Sequence, residues 1–232
     1  MRNLLAIVVL IVFTGCQRLP ETVTEPAPGA PQSMPSATAE VYDIDPERSE
    51  LTILIYRAGP LANLGHNHVI RASALSGQVY IQPRFEDSEF ELRFPVSSLV
   101  VDDPADRAVA GSEFSSVPSA TDIEGTRANM LGAALLDAAN YSEVVVTGSL
   151  EDSTATPQLI VTIRIKGAIA TRTVPVALTL QDDDLEVSGD FEMTHEELSL
   201  APFSIMMGAL RVSEDIRFRF RVTARRLAEN DS

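Results

Sequence analysis

The sequence predicts an all-β domain, mainly antiparallel, because alternation of apolar and polar residues is its dominant pattern. Phe90, Leu92 and Phe94 alternate with charged neighbours. The same pattern recurs at 159–166, 174–180, 185–194 and 216–222. Such alternation is typical of strands with one buried and one wet face. About eight antiparallel strands of this kind form either a sandwich or a closed barrel, and the pattern leaves both open.

The remaining elements are weaker in the sequence. Strands with a weaker alternation are predicted at 50–57, 68–73, 77–82 and 143–150, and turn signals such as Lys166-Gly167 separate the strands. Apolar residues at helical spacing predict a helix over 125–139. The domain is therefore expected to carry one or two short helices beside its strands.

The N-terminus has the features of an exported protein. Arg2 precedes an apolar run at 4–13, which is shorter than the ~20 residues that a membrane-spanning helix needs. Thr14 and Gly15 before Cys16 resemble the lipobox of bacterial lipoproteins, which implies a signal peptide over 1–16 and lipid attachment at Cys16. Because Cys16 is the only cysteine, acylation would leave no free thiol for other chemistry.

Residues 17–40 are rich in proline and small residues and predict a tether, followed by one domain over 41–228. Acyl chains on Cys16 would hold this domain on a membrane. By analogy with the sorting of bacterial lipoproteins, Gln17 favours the periplasmic face of the outer membrane. We therefore expect a lipid-anchored protein of the bacterial cell envelope.

Composition restricts the function further. The formal net charge of −15 argues against nucleic acid, whose phosphates need a basic surface. The sequence contains no phosphate-binding loop, no nucleophile elbow and no dinucleotide fingerprint. An arginine row at Arg217, Arg219 and Arg221 is expected on the outer face of the last strand, paired with carboxylates. The oligomeric state is left open.

Several segments, in this order, resemble the YceI-like domain of secreted bacterial proteins. They are YDIDP at 42–46 with Ser49, GQV at 77–79, LVVDD at 99–103 with Arg107, LDAANYSEV at 136–144 running into Ser149, GDF at 189–191, PFS at 202–204 and GALRV at 208–212. The resemblance covers nearly the whole domain. It implies a lipocalin-like β-barrel, with no catalysis, whose apolar lumen takes a polyisoprenoid or similar long-chain lipid.

On this interpretation the inward apolar residues are the candidate lipid-binding residues. They are Ile53, Ile55, Val79, Ile81, Phe90, Leu92, Phe94, Val161, Ile163, Val176, Leu178, Phe191, Met193, Phe218 and Phe220. No cofactor is expected other than a bound isoprenoid or quinone-like lipid. No catalytic residue is assigned.

Two other functions remain open. His66 and His68 lie two residues apart, so on an extended segment both imidazoles would point the same way and could hold a metal, with His195 as a third ligand. This would give a metal-binding protein or metal-dependent enzyme. Alternatively, the barrel is filled by its own side chains and serves as a non-catalytic interaction protein of the envelope.

Overall fold

The computed structural model describes residues 38–151 and 156–227. The predicted signal peptide, Cys16 and nearly all of the predicted tether lie outside these residues. The described strands and helices are β1 (Glu40–Ile44), β2 (Glu50–Ala58), β3 (His68–Ala72), β4 (Ser76–Ile81), β5 (Glu89–Pro95), β6 (Leu99–Val101), α1 (Pro104–Ala110), α2 (Ala120–Leu131), β7 (Glu143–Glu151), β8 (Gln158–Ile165), β9 (Ala168–Gln181), β10 (Asp184–Thr194), β11 (Ser204–Ile205) and β12 (Leu210–Arg226).

The strands of the described chain form one antiparallel sheet that closes into an eight-stranded barrel. Three of the eight barrel strands are each made of two consecutive segments. These are β1 with β2, β3 with β4, and β5 with β6. Both β1 and β2 pair with β12. On their other side, β1 pairs with β4 and β2 pairs with β3. Next in order, β4 pairs with β5 and β3 pairs with β6. The predicted all-β, lipocalin-like barrel is thus confirmed, and the sandwich is not formed.

The bend between β1 and β2 is held by local hydrogen bonds and by the closing strand. Asp45 Oδ1 accepts from the backbone N–H groups of Glu47 and Arg48, at 3.0 and 3.3 Å, which is an Asx-type turn. The Ser49 hydroxyl donates to the Thr223 carbonyl and accepts from the Thr223 N–H. Because of this bend, β1 and β2 together pair with nearly the whole length of β12.

The helix predicted at 125–139 lies earlier in the chain, so its bounds were wrong. Helix α2 begins at Ala120, after a capping box in which the Ser119 hydroxyl accepts from the Asp122 N–H and the Asp122 carboxylate accepts from the Ser119 N–H. It ends before Gly132. The following residues bury their apolar side chains through tight turns, so helical spacing alone misplaced the element. Neither described helix has the length and hydropathy of a membrane span.

Helix α1 covers the outer face of β2 and β3 and had no clear signal in the hydrophobic pattern. Asp103 caps it by accepting from the Ala105 N–H at 2.9 Å. Beneath it, Leu54 and Val69 are fully buried against Phe114 in a small cluster outside the barrel. The main core, by contrast, lies inside the barrel.

Candidate ligand site in the barrel lumen

The barrel encloses an apolar cavity. The volume open to the centre of a water-sized sphere inside the cavity is about 230 Å³. This is at least fifteen times the ~10–15 Å³ that one water molecule needs. Ser88, Glu89 and His195 are the polar residues among the described residues that line it, and all other lining residues are aliphatic, Phe or Met. This composition suits a hydrocarbon chain and offers few partners to water.

The cavity extends through most of the barrel. Leu185 and His195 both line it, and ten residues along a strand correspond to roughly 33 Å. With a strand tilt of ~35–45°, this is about 25 Å along the barrel axis. One end is lined by Phe85, Leu150 and Leu159, and the other by Met130 of α2 and by residues of the loop after β10. The space is therefore elongated, as a chain-like ligand requires.

Most of the candidate lipid-binding residues meet at this cavity. All of them line it except Val176 and Met193, which are buried in the surrounding core. Val176 is the register partner of Gly189, whose other neighbour is Phe220. The Phe220 ring lies across Gly189 and takes the space through which Val176 would otherwise reach the lumen. Met193 is the register partner of Ile216, which does line the cavity, and is itself buried at 2% exposure.

The aromatic residues shape the wall. The rings of Phe191 and Phe218 stack with centroids 5.0 Å apart, and Phe191 meets Phe220 edge to face at 6.3 Å. Phe90 lies opposite Gly148 in the same way that Phe220 lies opposite Gly189. Since glycine has no β-carbon, each ring can lie flat over its partner strand.

Other residues that line the cavity were not among the predicted lipid-binding residues. They are Ile44, Leu51, Ile70, Phe85, Ser88, Glu89, Leu99, Met130, Leu135, Leu136, Val144, Val146, Leu150, Leu159, Ile165, Leu185, Val187, His195, Leu198, Leu200, Ile216 and Val222. Those on strands continue the alternation and could have been found by extending it. Met130 and Leu135 lie in the apolar stripe that predicted a helix, but that stripe does not show that they face the lumen. Only the closed barrel brings them, and the lining residues on turns, to its ends.

The fold separates His195 from the other two histidines, whose ring centroids lie 6.4 Å apart. His195 lines the cavity, whereas His66 Nε2 lies 3.9 Å from the Asp122 carboxylate and His68 donates from Nδ1 to Asp102 at 2.6 Å. Within the described ranges, no group of three or more His, Cys, Asp or Glu side chains is placed to hold a metal ion. The predicted three-histidine grouping is therefore not formed.

His68 belongs to a buried charged cluster beside the barrel. The fully buried Asp102 accepts from His68, from the Val69 N–H at 2.9 Å and from Arg107. Arg107 also donates to the backbone carbonyls of Asn67 and Ser116. Burial raises the pKa of the Asp102 carboxyl, but these hydrogen bonds outweigh it and hold the pKa below its ordinary value. Every member has a structural partner, so the cluster fastens α1 to β3.

The outer face carries the arginine row. Arg217 and Arg219 both pair with Asp190, at 2.7 and 3.1 Å, and Arg221 lies 3.6 Å from Glu50. Burial raises the pKa of Asp190, and the two guanidinium groups more than offset this and lower it. These charges face water, opposite the lumen, as the alternation predicted.

The fold and the cavity together define a lipocalin-like barrel with an apolar interior. No family model matches the chain, and no curated protein matches it. Among solved structures, BcnA of Burkholderia cenocepacia aligns with a TM-score of 0.55 at 13% identity, over 78% of this chain and 98% of BcnA. A cysteine mutant of the Campylobacter jejuni YceI protein aligns with a TM-score of 0.50 at 10% identity, over 69% of this chain and 85% of that one. The chain thus has the YceI-type barrel fold, which confirms the resemblance at the level of fold.

Proposed function

We propose that this protein is a membrane-tethered envelope lipoprotein whose barrel binds an isoprenoid or another long-chain lipid in its lumen. The observation that carries the proposal is the elongated cavity with an almost wholly apolar lining. Its free space favours a carrier over a barrel filled by its own side chains. Acylation of Cys16 would place the barrel near membrane lipids, by the tether over 17–40.

The energetics are compatible with stable binding. Burying a methylene group contributes about 0.8 kcal/mol, so a chain of about 20 carbons would contribute roughly 16 kcal/mol before costs. Association and ordering of the chain cost about 4–15 kcal/mol. A long chain can therefore bind with useful affinity through packing alone, whereas a short one would not. This supports a long-chain ligand.

The proposal is tested on the full chain purified from its own envelope, by native mass spectrometry and lipid extraction. We expect about one long-chain lipid per protein and a lower melting temperature after the lipid is removed. Finding no long-chain molecule, together with melting that is unchanged by extraction, would overturn the proposal.

Two neighbouring residues on β8 supply a matched pair of variants. Val161 lines the cavity, while Ile160 is on the outer face and 38% exposed. Val161→Trp should fill the lumen and reduce bound lipid, at a cost of about 1–3 kcal/mol in stability. Ile160→Trp should retain lipid at the wild-type level. Equal lipid content in the two variants would contradict a luminal site.

A further inference from the structure

His195 is a polar side chain in the apolar wall of the lumen. It follows β10, lines the cavity and is only 3% exposed. Its neighbours in the same loop, Leu198 and Leu200, also line the cavity. A polar group enclosed in this way loses its contacts with bulk water and needs a hydrogen-bond partner.

One nitrogen of the ring has a partner that fixes the hydrogen. His195 Nδ1 lies 3.0 Å from the backbone carbonyl oxygen of Glu214. A carbonyl oxygen only accepts hydrogen bonds, so Nδ1 carries the hydrogen and donates. In the neutral imidazole, Nε2 is then unprotonated and acts as an acceptor.

The other nitrogen is left for a ligand. The described residues supply no hydrogen-bond partner for Nε2 of His195. At the same time, no side-chain nitrogen or oxygen of the described chain is both fully buried and unpaired. Nε2 is therefore not sealed from free space, and His195 is one of the residues that line the lumen.

We infer that the ligand of this lumen carries a hydrogen-bond donor, a hydroxyl or an N–H group, that donates to Nε2 of His195. The inference rests on the proposed function and narrows its ligand class to long-chain alcohols, amides or protonated acids. The donor end of the ligand lies beside Leu198 and Leu200. A chain with only ether or ketone oxygens leaves Nε2 without a donor.

The test uses the full chain, stripped of lipid, and three ligands with the same C₁₈ chain that differ at one end: octadecan-1-ol, 1-methoxyoctadecane and octadecane. Each displaces the fluorescent apolar probe N-phenyl-1-naphthylamine from the lumen. We expect the alcohol to bind roughly threefold to tenfold more tightly than the methyl ether, the range that one net hydrogen bond supplies. His195→Phe should abolish this preference and keep binding of octadecane. The control His66→Phe, outside the lumen, should keep the preference.

The outcomes separate this inference from the proposed function. If no C₁₈ ligand binds the wild-type chain, the lumen proposal fails. If all three bind equally, or if His195→Phe retains the preference for the alcohol, the lumen stands and the role of His195 is wrong. Should His195→Phe fail to fold, nitrogen NMR of the wild-type imidazole decides. Its Nε2 resonance should shift with octadecan-1-ol and not with 1-methoxyoctadecane, and identical responses to both would overturn the inference.

Discussion

The ring of Phe220 lies directly over the backbone of Gly189, its register partner on the neighbouring strand. A β-carbon at Gly189 would come within 2.7 Å of two ring atoms, Cε1 and Cζ. The ring would have to move, and the free space available to it is the lumen. Because Gly189 has no side chain, the Phe220 ring can lie against the wall, and the cavity keeps its width.

Gly189→Ala is therefore expected to narrow the lumen and to lower bound lipid. Displacing the ring should cost about 1–3 kcal/mol of unfolding free energy. Lipid content by mass spectrometry and chemical denaturation would measure the two effects. Gly125→Ala is the control, because nothing lies within 4 Å of its β-carbon position and alanine in a helix should stabilise by about 0.5–1 kcal/mol. Wild-type lipid content in Gly189→Ala would show that the ring does not limit the cavity.

Replacing a lining residue by a charged one should be far more severe. Leu92 lines the cavity and is buried, so Leu92→Glu places an unpaired carboxylate in an apolar space. We expect lipid binding to be lost and stability to fall by several kcal/mol. Ile169→Glu is the matched control, since Ile169 is 65% exposed on β9 and should tolerate the charge. Thermal melting and lipid extraction of both variants provide the comparison, and equal behaviour would contradict the assigned faces.

Asp102→Asn should destabilise the domain by about 3–5 kcal/mol, because the variant leaves Arg107 buried without its charged partner. The control Asp190→Asn removes a half-exposed pair on the outer face and should cost less than about 1 kcal/mol. Urea denaturation of the three proteins would give these differences. Similar losses in both variants would show that burial does not strengthen the Asp102 cluster.

The same carboxyl gives a dependence on pH. Because the pKa of Asp102 is lower in the folded protein than in the unfolded chain, its ionised form stabilises the fold above about pH 4. That contribution should be lost as the pH falls through the folded pKa. The gap in unfolding free energy between wild type and Asp102→Asn should therefore narrow below about pH 4. A gap that stays constant down to pH 2 would contradict the lowered pKa.

Cys16→Ala should release the protein from membranes without unfolding the barrel, because the predicted anchor and the domain core involve different residues. Fractionation, metabolic labelling with an acyl analogue and circular dichroism would check this. Gln17→Asp keeps the cysteine and should still be labelled, with its distribution between inner and outer membrane changed. A Cys16→Ala protein that still sediments with membranes would show that lipid attachment at Cys16 is not the membrane anchor.

Alternation along the chain was sufficient to predict most of the strands and their inward faces, although β1, β6 and β11 were not among the predicted strands. It works because successive side chains in a strand point to opposite sides, so Phe90, Leu92 and Phe94 had to share a face wherever the strand lay. The apolar run at 4–13 and the position of Cys16 likewise predict export and anchoring from local pattern alone. No structural partner is needed for either inference.

The lumen itself was decided by tertiary structure. Pairing of β12 with both β1 and β2 closes the sheet, and closure turns a set of apolar faces into a cavity. It also brings His195 inside and leaves His66 and His68 elsewhere. These relations join residues far apart in the chain, and they depend on strand register and ring packing, which the residue types along one strand do not specify.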